Sequence, residues 1–160
     1  MKEKGFNLKI CLVCIALPVV LGLLSGLLNA GAYGSYGAMR RPPLSPPGIV
    51  FPIVWSILYL LMGISCCMVS QAPVEKEKKL DALFTYGIQL FVNLLWPFIF
   101  FNLKAYLLAF IWLLFLWVLV LRMIIQFNSI KPLAGYLQIP YLLWCSFALY
   151  LNLGVYLLES

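Results

Sequence analysis

Gln89, Asn93, Trp96 and Phe100 recur at spacings of four, three and four in an otherwise apolar stretch, so they share one face of a helix. Amide side chains at membrane depth are costly unless they meet protein, ligand or water, which makes that face an interior one. It has two readings. The amides can hydrogen-bond between helices, worth a fraction to about 2 kcal/mol per bond, or they can orient a ligand. Trp55 and Tyr59 form a second aromatic pair one turn apart. Trp144, Ala148 and Asn152 form a third stripe at a spacing of four, flanked by Tyr141, Phe147 and Leu151. At 1.5 Å per residue, Trp55 and Trp144 lie roughly 10–16 Å inside their helices, too deep for anchors at a membrane interface. Together these faces offer indole N–H and amide donors, flat aromatic surfaces and no charge. That chemistry suits a flat, largely apolar ligand with a few acceptor groups. It does not suit a coupled ion, because no Asp, Glu, Lys or His lies in these runs to relay a proton or hold sodium, which counts against a secondary transporter and a charged-ring channel. The chain has no His at all, so zinc or haem held by histidine and a histidine general base are excluded. No resident cofactor or metal is expected.

The elements that must position these residues follow from composition. The chain is 64% hydrophobic and 10% charged, with a mean hydropathy of +1.02, whereas soluble domains carry about 25% charged residues. Its apolar runs reach the roughly 20 residues that a membrane-spanning helix needs. They read as spans over about residues 10–28, 48–69, 82–101, 105–121 and 133–158, the fourth with a glutamine-bearing extension beyond Arg122. Polar/apolar alternation is absent, so helices rather than barrel strands satisfy the backbone in lipid. The expected architecture is all-α: one membrane domain over residues 1–160, a bundle of five transmembrane helices. Pro18, Pro52, Pro97 and Pro140 each remove a backbone hydrogen bond; for Pro97 the freed carbonyl is that of Asn93, and for Pro140 that of Tyr136. The segment 71–79 reads as an exposed loop, and residues 101–104 as a turn so short that the third and fourth helices must be antiparallel neighbours. Trp112 and Trp117 are assigned to lipid or packing.

Between the first two spans lies Arg41-Pro42-Pro43-Leu44-Ser45-Pro46-Pro47-Gly48. Proline fixes φ and disfavours helix in the residue before it, so this is a stiff, non-helical segment, a lid rather than a slack connector. Charge sets its side. Lys2, Lys4, Lys9, Lys76, Lys78, Lys79, Arg122 and Lys131 fall on the N-terminal side, against Arg40, Arg41 and Lys104 on the other. The positive-inside rule then puts the N-terminus in the cytoplasm and the Pro-rich loop outside the cell membrane. The net charge of +6 sits at span edges and implies no nucleic-acid partner. The first apolar run exceeds a signal peptide's usual 7–15 residues and is expected to stay as a transmembrane helix. Its Gly22 and Gly26 suit close packing, within the monomer or across a dimer. Cys11-x-x-Cys14 has a redox-like spacing without a βαβ context or a nearby base, so it, Cys66, Cys67 and Cys145 read as small packing residues.

From about Ser35 to Asn152 the chain resembles the tryptophan-rich sensory protein/translocator protein (TspO/MBR, peripheral benzodiazepine receptor) family. The resemblance is carried by the Pro-rich segment with Phe51-Pro52-Ile53-Val54-Trp55 and Leu60-Leu61-Met62-Gly63, by Gln89 to Asn93 with Trp96-Pro97 and Phe100-Phe101, and by Pro140-Tyr141-Leu142-Leu143-Trp144 with Ser146-Phe147-Ala148 and Leu151-Asn152. It implies a pocket beneath the first loop for tetrapyrroles such as protoporphyrin IX and for isoquinoline or benzodiazepine-type drugs. In that pocket Trp55 and Trp144 match two tryptophans, Tyr36 the loop tyrosine, Asn93 and Trp96 the third-helix motif, and Ala148 and Leu151 the last-helix wall. Tyr59 and Gln89 join them from the residue pattern. The resemblance also implies homodimers, and functions ranging from sensor to porphyrin transporter to light-dependent porphyrin degrader. With conventional acid–base catalysis excluded, Trp55 and Trp144 are the catalytic candidates for such photochemistry. Two departures stand out: Ser35 replaces the tryptophan usual before the loop tyrosine, and no Lys or Arg follows Tyr156 to complete a sterol-recognition pattern.

Overall fold

The computed structural model describes residues 5–160; Lys2 and Lys4, counted in the charge asymmetry, lie outside the described residues. Five long helices run through the chain: α1 (Leu8–Leu28), α2 (Val50–Ser70), α3 (Lys76–Pro97), α4 (Tyr106–Ile130) and α5 (Ile139–Glu159). Each, with its adjoining turn where it has one, is long and apolar enough to cross a membrane, and no strand occurs among the described residues. Lipid-facing side chains such as Leu23, Ile57, Phe91, Ile111 and Leu143 are exposed, while Met62, Leu113, Leu116, Val120, Met123 and Phe127 form the closed core. The bundle hides its small residues and amides and shows its large aliphatics, as expected where lipid tails are as apolar as leucine.

The helix ends differ from the expected spans for identifiable reasons. α1 starts at Leu8 because the Asn7 side chain caps it, accepting from the backbone N–H of Lys9 at 3.0 Å and of Ile10 at 3.4 Å. α3 starts at Lys76, not at residue 82: Lys and Glu are good helix formers, so they extend the helix into water and shrink the loop to residues 71–75. α4 continues to Ile130, and its extension meets α3, with Arg122 and Gln126 reaching Asp81 at 3.4 and 2.6 Å. The fifth span is broken. Pro132–Tyr136 is a separate short helix, and α5 begins at Ile139 with Pro140 in its first turn, where a missing N–H costs nothing. The break holds Gln138, fully buried, whose amide donates to the Leu61 carbonyl at 3.1 Å and the Ser65 hydroxyl at 2.7 Å. Pro97 ends α3, which unwinds into a π turn over Phe98–Asn102. The carbonyls flanking Asn93, those of Val92 and Leu94, accept from the Trp112 indole at 2.7 Å and the Ser25 hydroxyl at 3.1 Å.

α1 packs chiefly on α2, and α4 on α3 and α5. Gly63 permits the first contact: a Cβ there would stand 2.5 Å from the Ile15 Cα and 2.9 Å from the Cys14 carbonyl oxygen. The short turn after Asn102 makes α3 and α4 neighbours, as the sequence requires. Cysteine usage departs from the reading as mere packing residues. At this tight contact Cys11 and Cys67 are joined in a disulfide, their Cα atoms 4.8 Å apart.

Candidate functional site

A cavity of about 710 Å³ lies beneath the first loop, lined by residues of all five helices. The chain enters the loop through the turn Ala30–Tyr33 and the 3₁₀ segment Gly34–Ala38. The Pro-rich segment then turns sharply, with Leu44 at φ 68° and the Ser45 hydroxyl donating to the Pro42 carbonyl at 2.7 Å. Two tyrosines pin it: Tyr36 donates to the Pro46 carbonyl and Tyr150 to the Pro43 carbonyl, each at 2.7 Å. The Arg41 guanidinium lies 4.6 Å from the Tyr36 ring centre, within cation–π range. Pro42 rests on Gly154 of α5 at a point where a Cβ would collide with its ring, and the Arg40 N–H donates to the Glu159 carboxylate at 2.6 Å. The rigid lid read from the prolines is thus fastened along its length, and Gly48 and Ile49 form part of the cavity roof.

α2 and α3 supply the polar and aromatic wall. Trp55 stacks on Tyr59 with ring centres 5.7 Å apart and meets Tyr141 edge-on at 6.2 Å. The Tyr59 hydroxyl donates to Asn93 Oδ1, Asn93 Nδ2 donates to the Tyr141 hydroxyl, and that hydroxyl donates to Gln89 Oε1, each at 2.7 Å. This chain fixes each group's orientation and gives both the oxygen and the nitrogen of the Asn93 amide a partner. Trp96 stacks on Phe100 at 4.9 Å and donates its indole N–H to Asn152 Oδ1 at 3.1 Å. Asn152 in turn donates to the Tyr106 carbonyl at 2.8 Å. On the α3 face Asn93 and Trp96 bond between helices and also line the cavity.

Of the residues singled out in the sequence, Tyr36, Trp55, Tyr59, Asn93, Trp96 and Ala148 line the cavity, and Gln89, Trp144 and Leu151 do not. Gln89 is fully buried behind Asn93 in the hydrogen-bond chain. Trp144 stands behind Phe51, edge-on at 5.8 Å, with its indole nitrogen buried and without a partner. Leu151 is half-buried on α5 away from the wall. Phe51, four residues before Trp55 and so on the same helix face, is the wall residue a stricter reading of periodicity could have found. Tyr33, which packs edge-on to Phe101 at 4.7 Å, adds an aromatic beside Tyr36, while Ser35 turns its hydroxyl to the Ala32 carbonyl at 2.7 Å. The α1 wall (Gly22, Ser25, Gly26) and Leu113 and Leu116 of α4 also line the cavity; of these the sequence had marked only Gly22 and Gly26, and for close packing. Gly22 lies directly under the Tyr59 ring. Among the described residues no charged side chain lines the cavity, and Leu23, Leu27 and Ile49 on its rim are exposed.

A five-helix membrane bundle with an aromatic cavity under a proline-rich lid defines the class. The chain belongs to the TspO/MBR family, whose model matches residues 14–157. It is 34% identical over 138 residues to protein CrtK of Rhodobacter capsulatus, covering 86% of this chain and 85% of that protein. It is 30% identical over 144 residues to the tryptophan-rich protein TspO of Chlorobaculum tepidum, covering 89% and 91%. It is also 29% identical over 118 residues to the translocator protein of Ovis aries, covering 73% and 70%. It is a multi-pass membrane protein.

Proposed function

We propose that this protein is a membrane receptor or sensor that binds tetrapyrroles of the protoporphyrin IX kind, and flat isoquinoline or benzodiazepine-type drugs, in the cavity beneath the lid. The observation that carries this reading is the cavity itself: about 710 Å³, uncharged, with the Trp55–Tyr59 stack on one wall. Ligand sites of about 300–1,000 Å³ with apolar walls and a few fixed polar groups take such molecules. A macrocycle lies flat on the indole and phenol rings, and its polar edge meets the cavity mouth. The basic asymmetry supports a cytoplasmic N-terminus and a lid on the outer side of the cell membrane.

A transporter of porphyrins or related amphiphiles is the second reading, favoured by the exposed rim at Leu23, Leu27 and Ile49, which opens the cavity toward lipid. Titration of the purified protein with protoporphyrin IX, in darkness and in light, tests the first reading. Saturable quenching of tryptophan fluorescence at one site supports it, and absence of saturable binding overturns it. Porphyrin loss confined to illuminated, aerated samples adds degradation to binding. Net flux into protein-bearing liposomes, absent from protein-free ones, selects the transporter.

A further inference from the structure

Four of the five cysteines meet at one place, at the end of the bundle opposite the lid. Cys11 and Cys14, three apart on one face of α1, oppose the adjacent Cys66 and Cys67 of α2. Beside the Cys11–Cys67 disulfide, the free thiols of Cys14 and Cys66 have their sulfurs 3.4 Å apart. Polar groups collar the cluster. The Gln71 amide nitrogen lies 3.1 Å from the Cys11 sulfur and 3.2 Å from that of Cys67. The Ser70 hydroxyl lies 3.7 Å from Cys14 Sγ and 3.9 Å from Cys66 Sγ. The Gln71 side-chain oxygen, Oε1, accepts from the Asn7 backbone N–H at 2.7 Å. Packing alone needs neither two facing thiol pairs nor an amide set on both sulfurs of one pair.

We propose that this cluster is a thiol–disulfide exchange site whose reagent is a small soluble thiol/disulfide couple of the glutathione type. In the oxidising direction the Cys67 thiolate attacks one sulfur of the small disulfide, and one thiol leaves, taking the proton that Cys67 gave up. The Cys11 thiolate then attacks the Cys67 sulfur of the mixed disulfide, and the second small thiol leaves. Two protein thiols are oxidised to one disulfide, and one small disulfide is reduced to two thiols. The Cys14–Cys66 pair is the neighbouring dithiol to which the bond passes by internal exchange, with no net oxidation. Access is short-range: Cys11 and Cys67 each lie three residues from a helix end, about 5 Å at 1.5 Å per residue, so one frayed turn admits the reagent. On the basic, cytoplasmic side thiols are held reduced, so a disulfide here reports a change in redox poise rather than serving as a permanent staple. Its formation ties α1 to α2 at one end, and α1 forms one wall of the cavity.

The full chain in lipid nanodiscs, equilibrated anaerobically across ratios of reduced to oxidised glutathione, acid-quenched and alkylated after denaturation, tests this by intact mass and peptide mapping. Five cysteines less the two that join predict a passage from five labels to three, with Cys11 linked to Cys67 within one molecule. The Cys67→Ser variant, with four cysteines, should pass from four labels to two, its link moved to Cys14–Cys66. Five labels on the parent protein at every ratio, or links only between molecules, would overturn the exchange site. Four labels on Cys67→Ser at every ratio would overturn the role of the second pair.

Discussion

Removing the two hydroxyls that hold the lid should accelerate ligand exchange without changing affinity. Tyr36 and Tyr150 each donate one hydrogen bond to a carbonyl of the Pro-rich segment, both at 2.7 Å, and these bonds exist without ligand. Replacement by Phe keeps each ring, including the Tyr36 contact to Phe51 at 5.1 Å, and deletes only the bond. A neutral bond of this kind is worth about 0.5–1.5 kcal/mol, and because the segment is stiff, opening must break both. The Tyr36→Phe/Tyr150→Phe protein should therefore open its lid more easily by about 2 kcal/mol, a factor of about 30 at 1.4 kcal/mol per decade. Each single variant should give about fivefold on the same basis. Stopped-flow quenching with protoporphyrin should show association and dissociation rising together, with Kd within about twofold of the parent, since closed states with and without ligand lose the same bonds. Tyr150 does not line the cavity, which makes its single variant the cleanest probe. Unchanged rates would mean that ligand does not pass the lid and enters instead at the Leu23, Leu27 and Ile49 rim. A dissociation rate raised with Kd to the same extent would mean that the hydroxyls contact the ligand.

Trp55→Ala should weaken protoporphyrin binding about tenfold, the loss of one stacking contact of roughly 1–1.5 kcal/mol. Trp144→Phe, at a residue outside the cavity lining and against Phe51, should change it less than about threefold by the same measure, and fluorescence titration separates the two. The same geometry makes Trp55 rather than Trp144 the indole whose replacement by Phe should suppress any light-dependent porphyrin loss at saturating ligand, followed by the decay of the porphyrin absorption band. Gly63→Leu should force α1 off α2 and destabilise the bundle by about 1–3 kcal/mol or more, seen as a lowered thermal midpoint in detergent; an unchanged midpoint would contradict the close approach at Ile15. A cysteine introduced by Ser45→Cys in a variant whose native cysteines are replaced should react with impermeant reagents from outside intact cells, and labelling only after the cytoplasmic side is opened would reverse the orientation.

Much of the fold was legible because lipid imposes one rule: every backbone polar group in the bilayer must be satisfied within a helix. Run length and the absence of charge therefore located the spans. Their ends were less legible, because an amphipathic extension such as Lys76–Lys79 obeys ordinary helix propensity in water, although the glutamine-bearing extension of the fourth helix beyond Arg122 was visible. The break at Gln138 was invisible too, since it depends on acceptors contributed by Leu61 and Ser65 of another helix. Within the site, periodicity placed Trp55, Tyr59, Asn93 and Trp96 on the wall, because a shared helix face is a local property. It did not separate Trp144 from Phe51, which lie on different helices and differ only in which ring stands in front. Gly22 and Gly26 of the α1 wall signalled only close packing, and Ser25 and Tyr150 left no trace, since such residues acquire their roles only through what packs opposite. The cysteine cluster was half visible: the spacing of Cys11 and Cys14 was plain, but its partners on α2 emerge only from the antiparallel register that Gly63 allows.

A structure of the full chain in lipid nanodiscs saturated with protoporphyrin IX bears most directly on the proposed function. The macrocycle should lie in the cavity, one face on the Trp55–Tyr59 stack, beneath Gly48 and Ile49 and beside Ala148, with the Tyr59–Asn93–Tyr141–Gln89 chain intact. A macrocycle seated on the outer, lipid-facing surface of the helices, with the cavity unfilled, would contradict that placement.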